Sequence, residues 1–469
     1  MSLRQLVRPI ATLQSSRSAS AAATKQILES APAAHVTSLK NGFRVVSEDN
    51  GKPTVTIGIF VENGSRFETQ QNSGVSSFLE HLLYKGTNKR TQQQLETELA
   101  GLGASLSSET GRDHTAYYVQ AASKDVEKVV DIVADILRNP KLDAAAVEKE
   151  RQVLLNKLDE LEGNYQNLTF DMLHTTAFQG TGLAHYPHGT TKSIQEITAD
   201  QIRQWQADNY RPVRMVLSAV GGGAEHGKLV GLAEKYFGDL SNEYPGKVPS
   251  DLGIRFTGSE FRFRNDKFPA MFAAIAVEGV GYGHADALPL AVVANGIGQW
   301  DATHGSSHNA PKRHVQRLVE GYGLHGFEQF NINYKNTGLW GVYFVADGKD
   351  FENVTNIHSI IQKEWKHMAC ALEAQEVEGL INQYRNRFFS KVESNTGKAK
   401  FNAKELLYTG HLRSLADVEE QLSNLSANSI GQAMNRHIYD RDIATAGVGR
   451  TEGFPEYSYI RQRMWWWRL

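Results

Sequence analysis

The chain has 469 residues, too many for one ordinary hydrophobic core, so about two to four domains are expected. Its 50 Lys and Arg against 52 Asp and Glu leave a net charge of -2, which excludes the strong basic excess of a nucleic-acid binder. A hydrophobic fraction of 41% with 22% charged residues is globular. The single cysteine, Cys370, excludes an internal disulfide framework and a cysteine metal cluster and is expected to be a small buried hydrophobe. No run approaches the ~20 apolar residues of a membrane span, so membrane contact is expected only through partner subunits.

Residues 1–25 carry Arg4, Arg8, Arg17 and Lys25 with no acid, while Leu3, Leu6, Val7, Ile10 and Leu13 recur at helical spacing among Ser and Ala. An Arg-containing, Ser-rich, acid-free amphipathic start reads as a mitochondrial transit peptide. Beyond it, Gly42 to Ser47 and Thr54 to Val61 read as strands. A polar turn, Glu62 to Arg66, then leads to a helix over Gly74 to Gly86. On that helix Ser77, Glu80 and His81 stand at i, i+3 and i+4 and so share a face.

Helices are expected over 91–102 and 124–137, with a strand over 113–120 between them, followed by a long charged helix from Asp143 to about Glu162. Thr198 reads as the N-cap of a helix that leads into a buried strand, Arg214 to Val220, ending at Gly221-Gly-Gly223. Leu240 to Ser250 is polar, contains Pro and Gly and lacks periodicity, so 241–258 is expected to be a linker.

After the linker the pattern recurs. Val55 to Glu62 is echoed by Met271 to Glu278, Leu142 to Glu148 by Leu372 to Glu378, and Ile197 to Ile202 by Leu425 to Ile430. The order is kept at offsets of roughly 216 to 230 residues, which points to duplication. The expected fold is α+β: two homologous domains, 33–240 and 259–469, each a mostly antiparallel sheet with helices packed on one face.

The motif helix, with Phe78-Leu-Glu-His-Leu82 and Lys85-Gly-Thr87, resembles the pitrilysin-like zinc peptidases of mitochondria from about Val36 to the end of the chain. The likeness is also carried by Asn209 to Leu217, Asn336 to Gly341 and Met464 to Leu469. In that family an inverted His-x-x-Glu-His motif binds zinc through two imidazoles, and the Glu acts as general base. Carried over by position, the first zinc-binding His falls on Ser77, the catalytic Glu on Glu80 and the second zinc-binding His on His81. The third ligand, a Glu on the long downstream helix, falls on Lys157, and a further acidic position is kept as Glu150.

Two of three ligands are therefore replaced, and no catalytic, metal or cofactor site is expected. A serine hydroxyl is a poor zinc ligand, and at ~4 Å with an effective dielectric of about 20 an ammonium and a zinc dication repel by about 8 kcal/mol. Lys157 is expected to pair with Glu80 instead. Asp159 and Glu160 are close in sequence but lie ~200 to 300 degrees around the helix from position 157.

The likeness implies a non-catalytic core subunit on the matrix side of the mitochondrial inner membrane. Its expected partners are a homologous second core subunit and the other subunits of a cytochrome bc complex. An active zinc metalloendopeptidase removing presequences, and a non-catalytic peptide-binding partner of such an enzyme, are the alternatives.

Three further features invite other readings. Gly321 to Gly326 matches G-x-G-x-x-G but leads into strand-like residues, so a helix end and turn are expected, not a dinucleotide site. His304, His308 and His314 are separated by helix breakers and read as loop histidines. Trp465, Trp466 and Trp467 cannot all point inward from one strand or helix, so at least one is expected to meet a partner.

Overall fold

The computed structural model describes residues 32–243, 253–304 and 322–466. Residues 1–25, read above as a transit peptide, the middle of the expected linker, His308, His314 and Trp467 lie outside the described residues.

The first half forms a six-stranded sheet from β1 (His35–Ser38), β2 (Arg44–Glu48), β3 (Thr54–Val61), β4 (Ser105–Thr110), β5 (Thr115–Ala122) and β6 (Met215–Gly221). Their spatial order is β1-β2-β6-β3-β5-β4, and only β2 and β6 run parallel. The second half forms a second six-stranded sheet, repeating five of these strands and adding its sixth, β9, at the opposite edge from β1, with β7 (Ser259–Arg264), β8 (Met271–Val280), β9 (Gln299–Asp301), β10 (Leu324–Asn333), β11 (Thr337–Ala346) and β12 (Ile443–Gly449). The order is β7-β12-β8-β11-β10-β9, again with a single parallel pair, β7 and β12. The fold is therefore the expected duplicated α+β architecture.

Helix starts follow the capping signals. Asp143 accepts from Ala146 N at the head of the long helix Ala144–Glu162, and Thr198 forms a capping box with Gln201 before Ala199–Asn209. Ser426 does the same for the repeat helix Ala427–His437.

The strands β3 and β6 are buried along nearly their whole length without alternation. Such a pattern needs cover on both faces of the sheet. One face packs on helices of its own half, through Phe78, Leu82, Val129 and Val133. The other is covered by a helix of the opposite half, Asn395–Thr409, whose Ala403, Leu406 and Leu407 pack on Val46, Phe60, Ala116 and Val216. Ser218 of β6 donates to the carbonyl of Ala399 at 2.9 Å across this seam.

The exchange is reciprocal. The helix Tyr165–Ala177 of the first half lies on the second sheet, with Leu173 and Ala177 against Ala274, Ala276, Ala444 and Ala446. Small strand residues let this helix approach closely. Helices of each half thus cover one face of its own sheet, as expected, and the remaining face is closed by one exchanged helix.

Cys370 does not fit its expected place: it ends the helix Phe351–Cys370 and is exposed. Of the terminal tryptophans, Trp466 is buried in the second core, its carbonyl accepting from Lys366 Nζ at 2.7 Å, while Trp465 is 43% exposed. Gly323, at φ +64°, makes the turn into β10 expected of the glycine-rich stretch. His304 closes a short 3-10 turn after β9. Among the described residues no helix is long and apolar enough to cross a membrane.

Candidate functional site

The motif helix spans Val75–Leu83, entered through Gly74 at φ +90°. Its free amides are held by Glu68, whose carboxylate accepts from Gly74 N at 2.7 Å, Ser76 N at 2.9 Å and Ser76 Oγ at 2.6 Å. A carboxylate at a helix N-terminus both satisfies orphan donors and complements the dipole.

Gly74 meets Gly189 backbone to backbone. A Cβ on either would stand 2.8 Å from the other's Cα, closer than packed atoms tolerate. Only glycine permits this contact, and it draws the segment before Gly189 onto the helix. His188 Nδ1 consequently lies 3.2 Å from Ser77 Oγ, which is fully buried. Burial, then the neighbouring Lys157 and His81, push the His188 imidazole down to about 4, so it is neutral at physiological pH.

The long helix Ala144–Glu162 brings Glu150 and Lys157, two turns apart on one face, over His81. His81 Nδ1 lies 3.0 Å from Glu150 Oε1, and Lys157 Nζ lies 3.3 Å from His81 Nε2. Lys85 Nζ reaches the other Glu150 oxygen at 3.1 Å. An ammonium can only donate, so the consistent assignment has Lys157 donating to Nε2 and Nδ1–H donating to Glu150. Glu150 is buried, and Asp159 and Glu160 are exposed, as their helical angles require.

The expected partnership of Lys157 with Glu80 is not formed. Glu80 Oε1 accepts from Ser108 Oγ of β4 at 2.6 Å, while Lys157 is drawn to the imidazole. Strand β4 lies against the motif helix and reaches the carboxylate first.

These donors do not fit a zinc ion. Both nitrogens of His81 are engaged, one with a cation, and Ser77 faces His188. Among the described residues, a group of three His, Cys, Asp or Glu donors close enough to share a metal occurs elsewhere, at His284, Asp286 and His437. What the first-half arrangement can do is bind its own elements together: a relay Lys157–His81–Glu150–Lys85 crosslinks the motif helix to the long helix.

Beside this relay, between the halves, lies a cavity of about 910 Å³. His188, Arg112 and His174 line it from the first half, and Lys391, Lys404 and Tyr408 from the second. Arg112 is tied to Asp171 at 2.6 Å, and burial pushes Lys404 down from the usual lysine range. The family motif grouped Ser77, Glu80, His81, Glu150 and Lys157, and the fold brings them together where the motif helix meets the long helix. His188 was not legible; the glycines flanking both segments were its only trace.

Residues 44–190 match the family model described as insulinase (peptidase family M16), and residues 196–384 match the model of the M16 inactive domain. The chain is 53% identical to cytochrome b-c1 complex subunit 1, mitochondrial, of Caenorhabditis elegans, over 100% of this chain and 99% of that protein. The chain belongs to peptidase family M16. It is 36% identical to the human mitochondrial-processing peptidase subunit beta, over 95% of this chain and 90% of that family member. Among solved structures, a chain of complex III2 from Candida albicans, with Inz-5 bound, superposes with a TM-score of 0.79 at 24% identity. That match covers 92% of this chain and 99% of the other, and at this identity it speaks for the M16 fold alone.

Proposed function

We propose that the chain is a non-catalytic core subunit of the mitochondrial cytochrome b-c1 complex, descended from an M16 peptidase. The observation that carries the assignment is the 53% identity, end to end, with a subunit 1 of that complex. In this reading the chain pairs with a homologous second core subunit, touches the membrane only through other subunits and stands on the matrix side of the inner membrane. Residues 1–25 act as its transit peptide, and the two pitrilysin-like domains, 33–240 and 259–469, are joined by the linker 241–258.

Loss of peptidase chemistry is supported by the relay at the motif helix. Hydrolysis in this family needs a metal-bound water, and here an ammonium sits 3.3 Å from the His81 nitrogen. Glu80, its intended general base, is occupied by Ser108.

The retained Glu80–His81 pair and the 36% identity to a processing peptidase beta subunit favour presequence cleavage as the second reading. Affinity-tagged chain expressed in mitochondria should co-migrate with haem-containing subunits on native gels, and purified chain should cleave no presequence peptide with added zinc. Zinc-dependent cleavage abolished by Glu80→Gln would reverse the assignment.

A further inference from the structure

The second half carries a donor cluster with no counterpart in the family motif. His284 follows β8 on a turn, its amide donating to the Gly281 carbonyl, and Asp286 stands at the head of the helix Ala287–Ile297. His437 is the last residue of the helix Ala427–His437. One donor atom from each lies within 4.8 Å of the other two.

We propose that His284, Asp286 and His437 form a zinc-binding site. Asp286 Oδ2 is 2.8 Å from His437 Nε2 and 3.9 Å from His284 Nδ1. Around a tetrahedral zinc with ligands at ~2.0–2.1 Å, donors stand about 3.4 Å apart, a value these spacings bracket. Two imidazoles and one carboxylate are a donor set suited to zinc, and leave the fourth position to water, reached from the exposed side of His284.

Two surrounding features fit the same role. The other Asp286 oxygen is held by Arg436 at 2.9 Å, which orients the carboxylate as outer-shell partners of metal ligands do. Arg436 is 59% exposed, so water screens its charge from the ion. His437 also sits where a helix C-terminus favours a cation. His284 Nδ1 accepts from Asp286 N at 3.0 Å, so this nitrogen carries no proton, and an ion would take its lone pair in place of that amide. Without metal the same three residues make a plain Asp–His ion pair, and the experiment must separate the two.

Zinc titrated into the purified full chain against a chromophoric chelator should reveal one site of micromolar or tighter affinity. His437→Ala and His284→Ala should each weaken it tenfold or more, whereas His81→Ala leaves it unchanged. Zinc should also raise the melting temperature of the wild-type chain but not of His437→Gln, which keeps a hydrogen bond to Asp286 and controls for folding. Absence of binding below millimolar zinc, or binding lost in His81→Ala and kept in His437→Gln, would overturn the site.

Discussion

Five strands keep one order in both halves, β2-β6-β3-β5-β4 and β7-β12-β8-β11-β10, each with a single parallel pair, yet the helix that follows the central strand differs completely between them. After β3 it is Val75–Leu83, carrying Ser77, Glu80 and His81; after β8 it is Ala287–Ile297, whose buried face is Leu290, Val293, Ala294 and Ile297. Duplication has kept what backbone pairing and apolar cover require, because each is coupled to a whole sheet. Side chains at the helix face are coupled to few neighbours and were free to diverge. In the first half this left a partly buried polar relay between two helices; in the second it left an apolar helix with a donor cluster at its entrance.

The sharpest way to break this contrast is to give the first half its missing donors. Ser77→His with Lys157→Glu, made in a His437→Ala background, should raise zinc affinity a hundredfold or more, about 2.7 kcal/mol, by competition with a chelator. Either single change should gain far less. Equal gains from Ser77→His alone would mean that Lys157 is no obstacle.

The exchanged helices provide the next test. Leu406→Ala and Leu173→Ala should each cost about 2 to 4 kcal/mol in denaturant unfolding, since both side chains are buried against the opposite half's sheet. Hydrogen exchange should locate the loss across the seam, in β3 and β6 for Leu406→Ala and in β8 and β12 for Leu173→Ala. Loosening confined to the mutated half would refute the mutual cover.

Two buried groups, one in each half, should then respond to pH with opposite sign. His188 is held at about 4, below its ordinary value, so stability is lost as pH falls from about 6.5 through 4. In the second half burial, with nearby Glu376, pushes Glu364 up to about 7, and one of its oxygens is buried without a partner. Its contribution is complete below the usual carboxylate range and is lost as pH rises through 7. His188→Asn and Glu364→Gln should each flatten one limb of the stability–pH curve, by on the order of 2 kcal/mol. Unchanged limbs would mean these groups titrate alike when folded and unfolded.

The smallest effects should be equal in the two halves. Thr198→Ala and Ser426→Ala each remove a capping box from corresponding helices, and each should cost about 1 kcal/mol by denaturant midpoint. Costs differing by more than about 1 kcal/mol would show that the repeat helices no longer carry the same load.

Local rules written in the sequence determined much of this molecule. Strand β3 runs from Thr54 to Val61 as its apolar run predicts, and Asp143, Thr198 and Ser426 cap the helices they precede. Helical spacing alone put Ser77, Glu80 and His81 on one face, and the repeat foretold the second sheet. Those features depend on backbone geometry within a few residues. The exposure of Cys370, the exchange of two helices between halves, the arrival of His188 at Ser77 and the choice of His81 over Glu80 by Lys157 were decided by the tertiary structure. Each depends on which distant segment reaches a group first, as Ser108 reached Glu80 and Gly189 reached Gly74, and no periodicity along the chain records that competition.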